Sequence, residues 1–152
     1  MPHTVRPDRK AHEPRNPEWE ATVRASFARQ KVMNLIGAEM GALATGHCEI
    51  RLPFRDELTQ QHGFLHAGIV ATALDSACGY AAFTLMPAHA AVLTVEFKIN
   101  LLAPADGDLL VAEGQVLKSG RNLVITRGEV YAIRNGKATH CPTMQQTLMT
   151  MH

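Results

Sequence analysis

The sequence carries no charge excess of either sign: Lys plus Arg number 15, against 14 for Asp plus Glu. A near-neutral chain lacks the basic surplus that attracts phosphate backbones, so nucleic acid is not an expected partner. No apolar run approaches the roughly 18 to 20 residues that a membrane span needs, and the amino-terminal MPHTVRPDRKAHEPRNP lacks the apolar stretch of a signal peptide. A cytoplasmic protein without membrane segments is expected. Cysteine is scarce, and Cys48, Cys78 and Cys141 form no Cys-x-x-Cys pair. Their odd number and wide separation argue against a disulfide framework or a zinc site, and they read as small buried hydrophobes. Also missing are a Gly-x-Ser-x-Gly elbow, a Gly-rich phosphate motif and internal repeats, which weighs against serine-hydrolase, nucleotide-binding and solenoid readings.

What is present suits one compact unit. A chain of 152 residues, 46% of them hydrophobic, can bury one sizeable core but not comfortably two. Residues 1–16 mix Pro, Arg, His and Glu without periodicity and read as a flexible tail, leaving 17–152 as a single domain. Asn16, Pro17 and Glu18 make a helix start, and Trp19, Val23 and Phe27 recur on one face, so a first amphipathic helix is predicted to about Lys31. Two short strands follow over 37–44 and 47–54. After the loop LTQQHGFLHAG comes an Ala-rich helix from about His66 to Leu85, closed by Pro87.

From Ala91 the period switches to two. Val95, Phe97, Ile99 and Leu101 alternate with Thr94, Glu96, Lys98 and Asn100 in a long half-buried strand. Turns at Asp106-Gly107, Ser119-Gly120 and Asn135-Gly136 divide the remainder into three more strands, predicted as an antiparallel meander with the first. An α+β domain results, its antiparallel sheet wrapped around a long central helix with an N-terminal helix beside it. Such a sheet leaves edge strands unpaired, which points to a homo-oligomer.

One charge interrupts the central helix. Asp75 stands within IVATALDSACGYAA, and helical projection places Gly68, Ala71, Thr72, Cys78, Gly79 and Ala82 beside it. An exposed Asp on an ordinary amphipathic helix is the plain alternative. A carboxylate partly desolvated among small side chains would have the basicity or nucleophilicity that a hydrolase needs. Upstream, His66 and Gly68 fall at the helix start, where unpaired N–H groups and the positive dipole end make a natural oxyanion hole. Gly63 and Gly68 let the loop approach a ligand closely. His62 and His66 are four apart, but Gly63 between them indicates a loop rather than a helical metal pair, so no metal is expected. Phe64, Leu65, Phe83, Leu85 and Met86 are candidates for either an apolar pocket or packing.

These residues together resemble a known family. QQHGFLHAGIVATALDSACGYAA is similar to the signature of the PaaI-like hotdog thioesterases, in which a His-Gly-Gly opens the central helix and an acidic residue follows. TVEFKINLLAPADGD resembles the family's long strand and following turn, and the likeness spans about residues 30–150. It implies hydrolysis of acyl-CoA or aryl-CoA thioesters, without a cofactor, in a homodimer or homotetramer with sites shared across the interface. Asp75 would be the general base or nucleophile, and the N–H of Ala67 would polarise the thioester carbonyl. His66 would position the thioester or its sulfur, Gln60 would hold the carbonyl or the water, and Thr94 would orient the water. Lys118 and Arg121, in LKSGRN, are candidates for the CoA phosphates, or else cations of a solvated turn. Ala67 departs from the first Gly of His-Gly-Gly, which adds a methyl where the fit is tight. The same resemblance admits a non-catalytic acyl-CoA-binding module or a hotdog hydratase or dehydratase.

Overall fold

The computed structural model describes residues 12–152, so most of the segment read as a tail, 1–11, lies outside the described residues. His12 to Asn16 rest on the body of the protein: the His12 ring meets the carbonyl of Val116, and Arg15 Nε donates to the carbonyl of Leu85 at 3.0 Å. Asn16 opens the first helix from its side chain, accepting from the Glu18 N–H and donating to Thr22 Oγ1. Helix α1 (Trp19–Arg29) buries Val23 fully and sets Phe27 edge-on to Tyr80 at a centroid distance of 5.7 Å.

The predicted first helix, to about Lys31, ends two residues earlier at Arg29, and a second helix that was not predicted follows it. The chain leaves helical geometry at Gln30 (ψ 96°), and α2 (Lys31–Ile36) follows, ending at Gly37 in the left-handed region (φ 75°). The Gln30 side chain gives the reason: it turns inward, donating to Ser76 Oγ and accepting from the Tyr80 hydroxyl.

Strands β1 (Glu39–Ala44) and β2 (His47–Pro53) precede the central helix α3 (Ala67–Phe83), and β3 (Ala91–Leu101), β4 (Leu109–Ser119), β5 (Leu123–Arg134) and β6 (Lys137–Met151) follow it. The sheet order is β1-β2-β4-β5-β6-β3, antiparallel throughout. The meander therefore holds for β4, β5 and β6, but β3 lies at the far edge beyond β6. The return connection from β3 is tied to the chain on either side of the loop before α3, where Leu65 N–H donates to Ala105 O and Phe54 N–H to Asp108 O. Alternation carries no information on which strand is whose neighbour, and the half-buried face expected for β3 is not found: at the sheet edge its Val95, Phe97 and Leu101 are 45 to 55% exposed.

Helix α3 lies on the concave face, with Val70, Leu74, Ala77, Cys78 and Ala81 at most 1% exposed. Two glycines let it come close. Gly114 of β4 pairs directly with Gly128 of β5, and a Cβ on Gly114 would stand 2.4 Å from the Ala77 backbone. Burial pushes the thiols of Cys48 and Cys78 up to about 12, consistent with their reading as small hydrophobes. Among the described residues, no helix is long and apolar enough to cross a membrane. The result is the hotdog arrangement expected: six antiparallel strands around one long helix.

Candidate active site

The loop before α3 is a tight reversal. Gln60 N–H donates to Phe64 O, Gly63 N–H donates to Gln60 O, and Gly63 takes φ +82°, a conformation that favours glycine. The Gln60 side-chain oxygen accepts from the His62 N–H. Only the carbonyl end of an amide can accept, so the NH₂ end of Gln60 is the part left to meet a ligand.

His66 caps α3. Its ring Nδ1 accepts from the Gly68 N–H at 2.8 Å, and its carbonyl accepts from Ile69 and Val70. A Cβ on Gly68 would come within 3.1 Å of that ring nitrogen, so the glycine makes room for the cap. With Nδ1 as acceptor, the proton of the neutral imidazole sits on Nε2. Of the first four N–H groups of the helix, those of Gly68, Ile69 and Val70 are thus satisfied. That of exposed Ala67 is the one left over among the described residues. Gln60, His66 and Ala67 line a cavity of about 510 Å³, whose other walls include Phe64, Leu65 and Pro104.

Asp75 is half-buried on the open side of α3. Thr94 of β3 donates its hydroxyl proton to Asp75 Oδ1 at 2.7 Å. Gln146 of β6 donates from Nε2 to the same Oδ1 at 2.6 Å and to Thr94 Oγ1 at 2.9 Å. The second carboxylate oxygen, Oδ2, has no hydrogen-bond partner among the described residues. Asp75 and Thr94 line a second cavity of about 340 Å³ with Arg29, Gln30, Tyr80 and Val92. Tyr80 closes part of it, bonded to Ser26 and Gln30, with its hydroxyl pushed above its ordinary pKa chiefly by burial.

The expected site residues thus fall in two groups. Gln60, His66 and Ala67 gather at the start of α3, while Asp75 and Thr94 meet two turns further on. Eight residues at about 1.5 Å each separate Ala67 from Asp75 by about 12 Å along the helix, too far to serve one carbonyl within a chain. Gly63 and Gly68 shape the loop and the cap and line neither cavity. Lys118 and Arg121 are exposed at the tip between β4 and β5. Cross-strand pairing of Ser119, Val124, Leu148 and Thr94 in one row puts that tip at the Asp75 end of the sheet.

Two placements differ from the projected helix face. Cys78 and Ala82 are fully buried, leaving Gly68, Ala71, Thr72 and Gly79 with Asp75 on the accessible side. Cys78 points under the sheet, where its sulfur would lie 2.8 Å from a Cβ on Gly128. Of the apolar candidates, Phe64 and Leu65 line the first cavity, whereas Leu85 and Met86 are core.

Sequence reasoning passed over Gln146 and Gln30. Gln146 had a readable signal: it occupies the inward register of β6 between Met144 and Leu148, where an amide interrupts an apolar face. Gln30 had none, since it sits one residue past the helix end.

An antiparallel sheet wrapped on a long helix, with a capped start bearing a spare N–H and a carboxylate in its middle, defines a hotdog-class protein. Comparison with known proteins narrows the class. Residues 62–139 match the thioesterase superfamily. A thioesterase family protein from Silicibacter pomeroyi has a similar structure, with 52% identity, a TM-score of 0.86, and coverage of 88% of this chain and 98% of that one. A Saccharolobus solfataricus protein named "Putative esterase" is 34% identical over 103 residues, 68% of either chain. The PaaI protein of the E. coli phenylacetic acid degradation operon shares the fold at 16% identity, with a TM-score of 0.79 and coverage of 89% and 94%. The chain belongs to the thioesterase superfamily, and that membership supports thioester hydrolysis in general as its chemistry.

Proposed function

We propose that the protein hydrolyses acyl-CoA or aryl-CoA thioesters to the free acid and CoA, at sites assembled from two copies of the chain. The observation that carries this reading is the spare Ala67 N–H at the start of α3 together with an Asp75 whose Oδ2 is left open on the same accessible face. About 12 Å separates them in one chain. Two antiparallel α3 helices, one from each copy, would bring the Asp75 of one opposite the Ala67 of the other. The surface around them suits such pairing: the accessible stripe is of small residues, and edge strand β3 exposes Leu93, Val95, Phe97 and Leu101, each 45 to 55% accessible.

In that assembly the thioester carbonyl oxygen accepts from the Ala67 N–H and the free Gln60 NH₂, at the positive end of the helix. Asp75 Oδ2 takes the proton of a water whose oxygen attacks the carbonyl carbon, or attacks that carbon itself to give an acyl intermediate that water then opens. Either way the C–S bond breaks, and CoA leaves as a thiol after reprotonation. His66 Nε2–H faces the leaving sulfur. Thr94 has spent its proton on Asp75, so it can hold a water only by accepting from it. Lys118 and Arg121 supply cations for the phosphates of CoA. The remaining expectations follow the same reading: a single domain over 17–152 and a cytoplasmic location.

The test is thiol release over short, medium, long and aromatic acyl-CoAs, with Asp75→Asn as the control. Release by the wild type and loss in the variant is the expected result. Binding without turnover across the panel would leave a non-catalytic acyl-CoA module, and hydration of an enoyl thioester without thiol release would leave a hydratase.

A further inference from the structure

We infer that Gln146 is a positioning residue for Asp75, one that fixes which carboxylate oxygen does the chemistry; this rests on the thioesterase reading above. Three observations converge on it. Gln146 is 1% exposed and stands in the inward register of β6, where its neighbours on that face are Met144 and Leu148. Its Nε2 donates to both Asp75 Oδ1 and Thr94 Oγ1, closing a three-membered ring of hydrogen bonds from three separate elements. Its Oε1 is buried with no hydrogen-bond partner among the described residues.

The last point separates function from folding. An amide buried with one end unpartnered is a stability cost that Leu or Met at the same place would not carry. The residue instead serves Asp75. Two donors on Oδ1 saturate that oxygen and lock the carboxylate plane, so Oδ2 is the oxygen turned to the substrate. Thr94 alone could not do this, because a hydroxyl on an exposed edge strand can rotate its proton elsewhere, whereas the Gln146 N–H holds it in the donating orientation by occupying the hydroxyl's acceptor side.

The experiment compares kcat, KM and pH profiles of wild type, Asp75→Asn, Gln146→Met and Gln146→Glu on one good acyl-CoA substrate, with thermal melts beside them. Gln146→Met keeps volume and removes both donated bonds, so kcat falls roughly 10- to 100-fold while KM stays near wild type. Its Tm does not drop. In Gln146→Glu the new carboxyl can donate while it holds its proton and repels Asp75 once it is lost. Its activity is therefore bell-shaped in pH and vanishes on the alkaline side, where the wild type holds a plateau.

Wild-type kcat in Gln146→Met beside a dead Asp75→Asn overturns the positioning role alone. Wild-type turnover in Asp75→Asn overturns the thioesterase assignment of that residue and the inference with it. Should Gln146→Met fold poorly, Gln146→Glu decides: a pH profile parallel to wild type overturns the role, and the bell shape supports it.

Discussion

Ala67 and Asp75 carry separable parts of the proposed reaction, and each admits a substitution that removes one chemical group while the backbone stays in place. Ala67 is the first residue of α3, preceded by His66 in an extended conformation at φ −61° and ψ 137°. Proline is accepted at a first helical position and wants an extended residue before it, so Ala67→Pro deletes the spare N–H with little cost to folding. Turnover should fall by about 10² to 10³ with the melting temperature near wild type; unchanged turnover would remove Ala67 from the reaction. Asp75→Asn keeps shape but gives up the base, with an expected loss of about 10² to 10⁴ in kcat. Asp75 was legible in the sequence because a charge in the middle of an Ala-rich helix violates the local pattern. The place of His66 at the helix start was legible, but its capping role, by which Gly68 N–H is consumed and Ala67 N–H spared, needed the ring's orientation. Gln146 was overlooked although the same rule applied to it: a polar side chain in an inward strand register needs a partner, and the partner lies 71 residues away.

At the scale of elements, helix-to-sheet contact depends on two glycines whose role no periodicity reveals. Gly114 and Gly128 face each other across β4 and β5, directly under Ala77 and Cys78. The clash at Gly114 is with backbone, which cannot swing aside, so Gly114→Ala should cost toward the upper end of about 1–3 kcal/mol in denaturant unfolding. On the opposite face of β5, Glu129 shows a pH dependence. Burial raises its carboxyl, but hydrogen bonds from Arg127, His140 and Thr143 outweigh that and hold it below the ordinary value of 4.5. A depressed folded value stabilises above the unfolded value and is lost as pH falls through the folded one. The wild type should therefore melt above Glu129→Gln at neutral pH, and the gap should close below about 4.5. A gap independent of pH would mean that packing, not ionisation, sets it. Strand existence was readable from alternation, but the face of β3 was not: Val95, Phe97 and Leu101, expected on a half-buried strand, are 45 to 55% exposed, and Thr94 from the polar set meets Asp75. The position of β3 beyond β6 was not readable, because neighbours in a sheet are chosen by long-range packing around α3, and the break at Gln30 was not, because its cause is a bond to Ser76 and Tyr80 on another helix.

For the whole molecule, the decisive property is whether one chain can act alone. Gln60, His66 and Ala67 line one cavity and Asp75 and Thr94 another, and the length of α3 between Ala67 and Asp75 keeps the two groups apart in a single copy. Strand β3, with its exposed apolar residues and free edge, gives the molecule a surface that a second copy would cover. Complementation tests this directly. Ala67→Pro and Asp75→Asn are each expected to be nearly inactive alone, since every site in either homodimer lacks one group. When the two are unfolded together and refolded in equal amounts, half of the dimers pair one chain of each kind. In such a mixed dimer one site unites the intact Asp75 of the first variant with the intact Ala67 of the second, while the other site has neither. Random pairing then restores about a quarter of wild-type turnover, because half of the dimers carry one working site of two. A site contained within a single chain would give no recovery, since no chain in the mixture holds both groups.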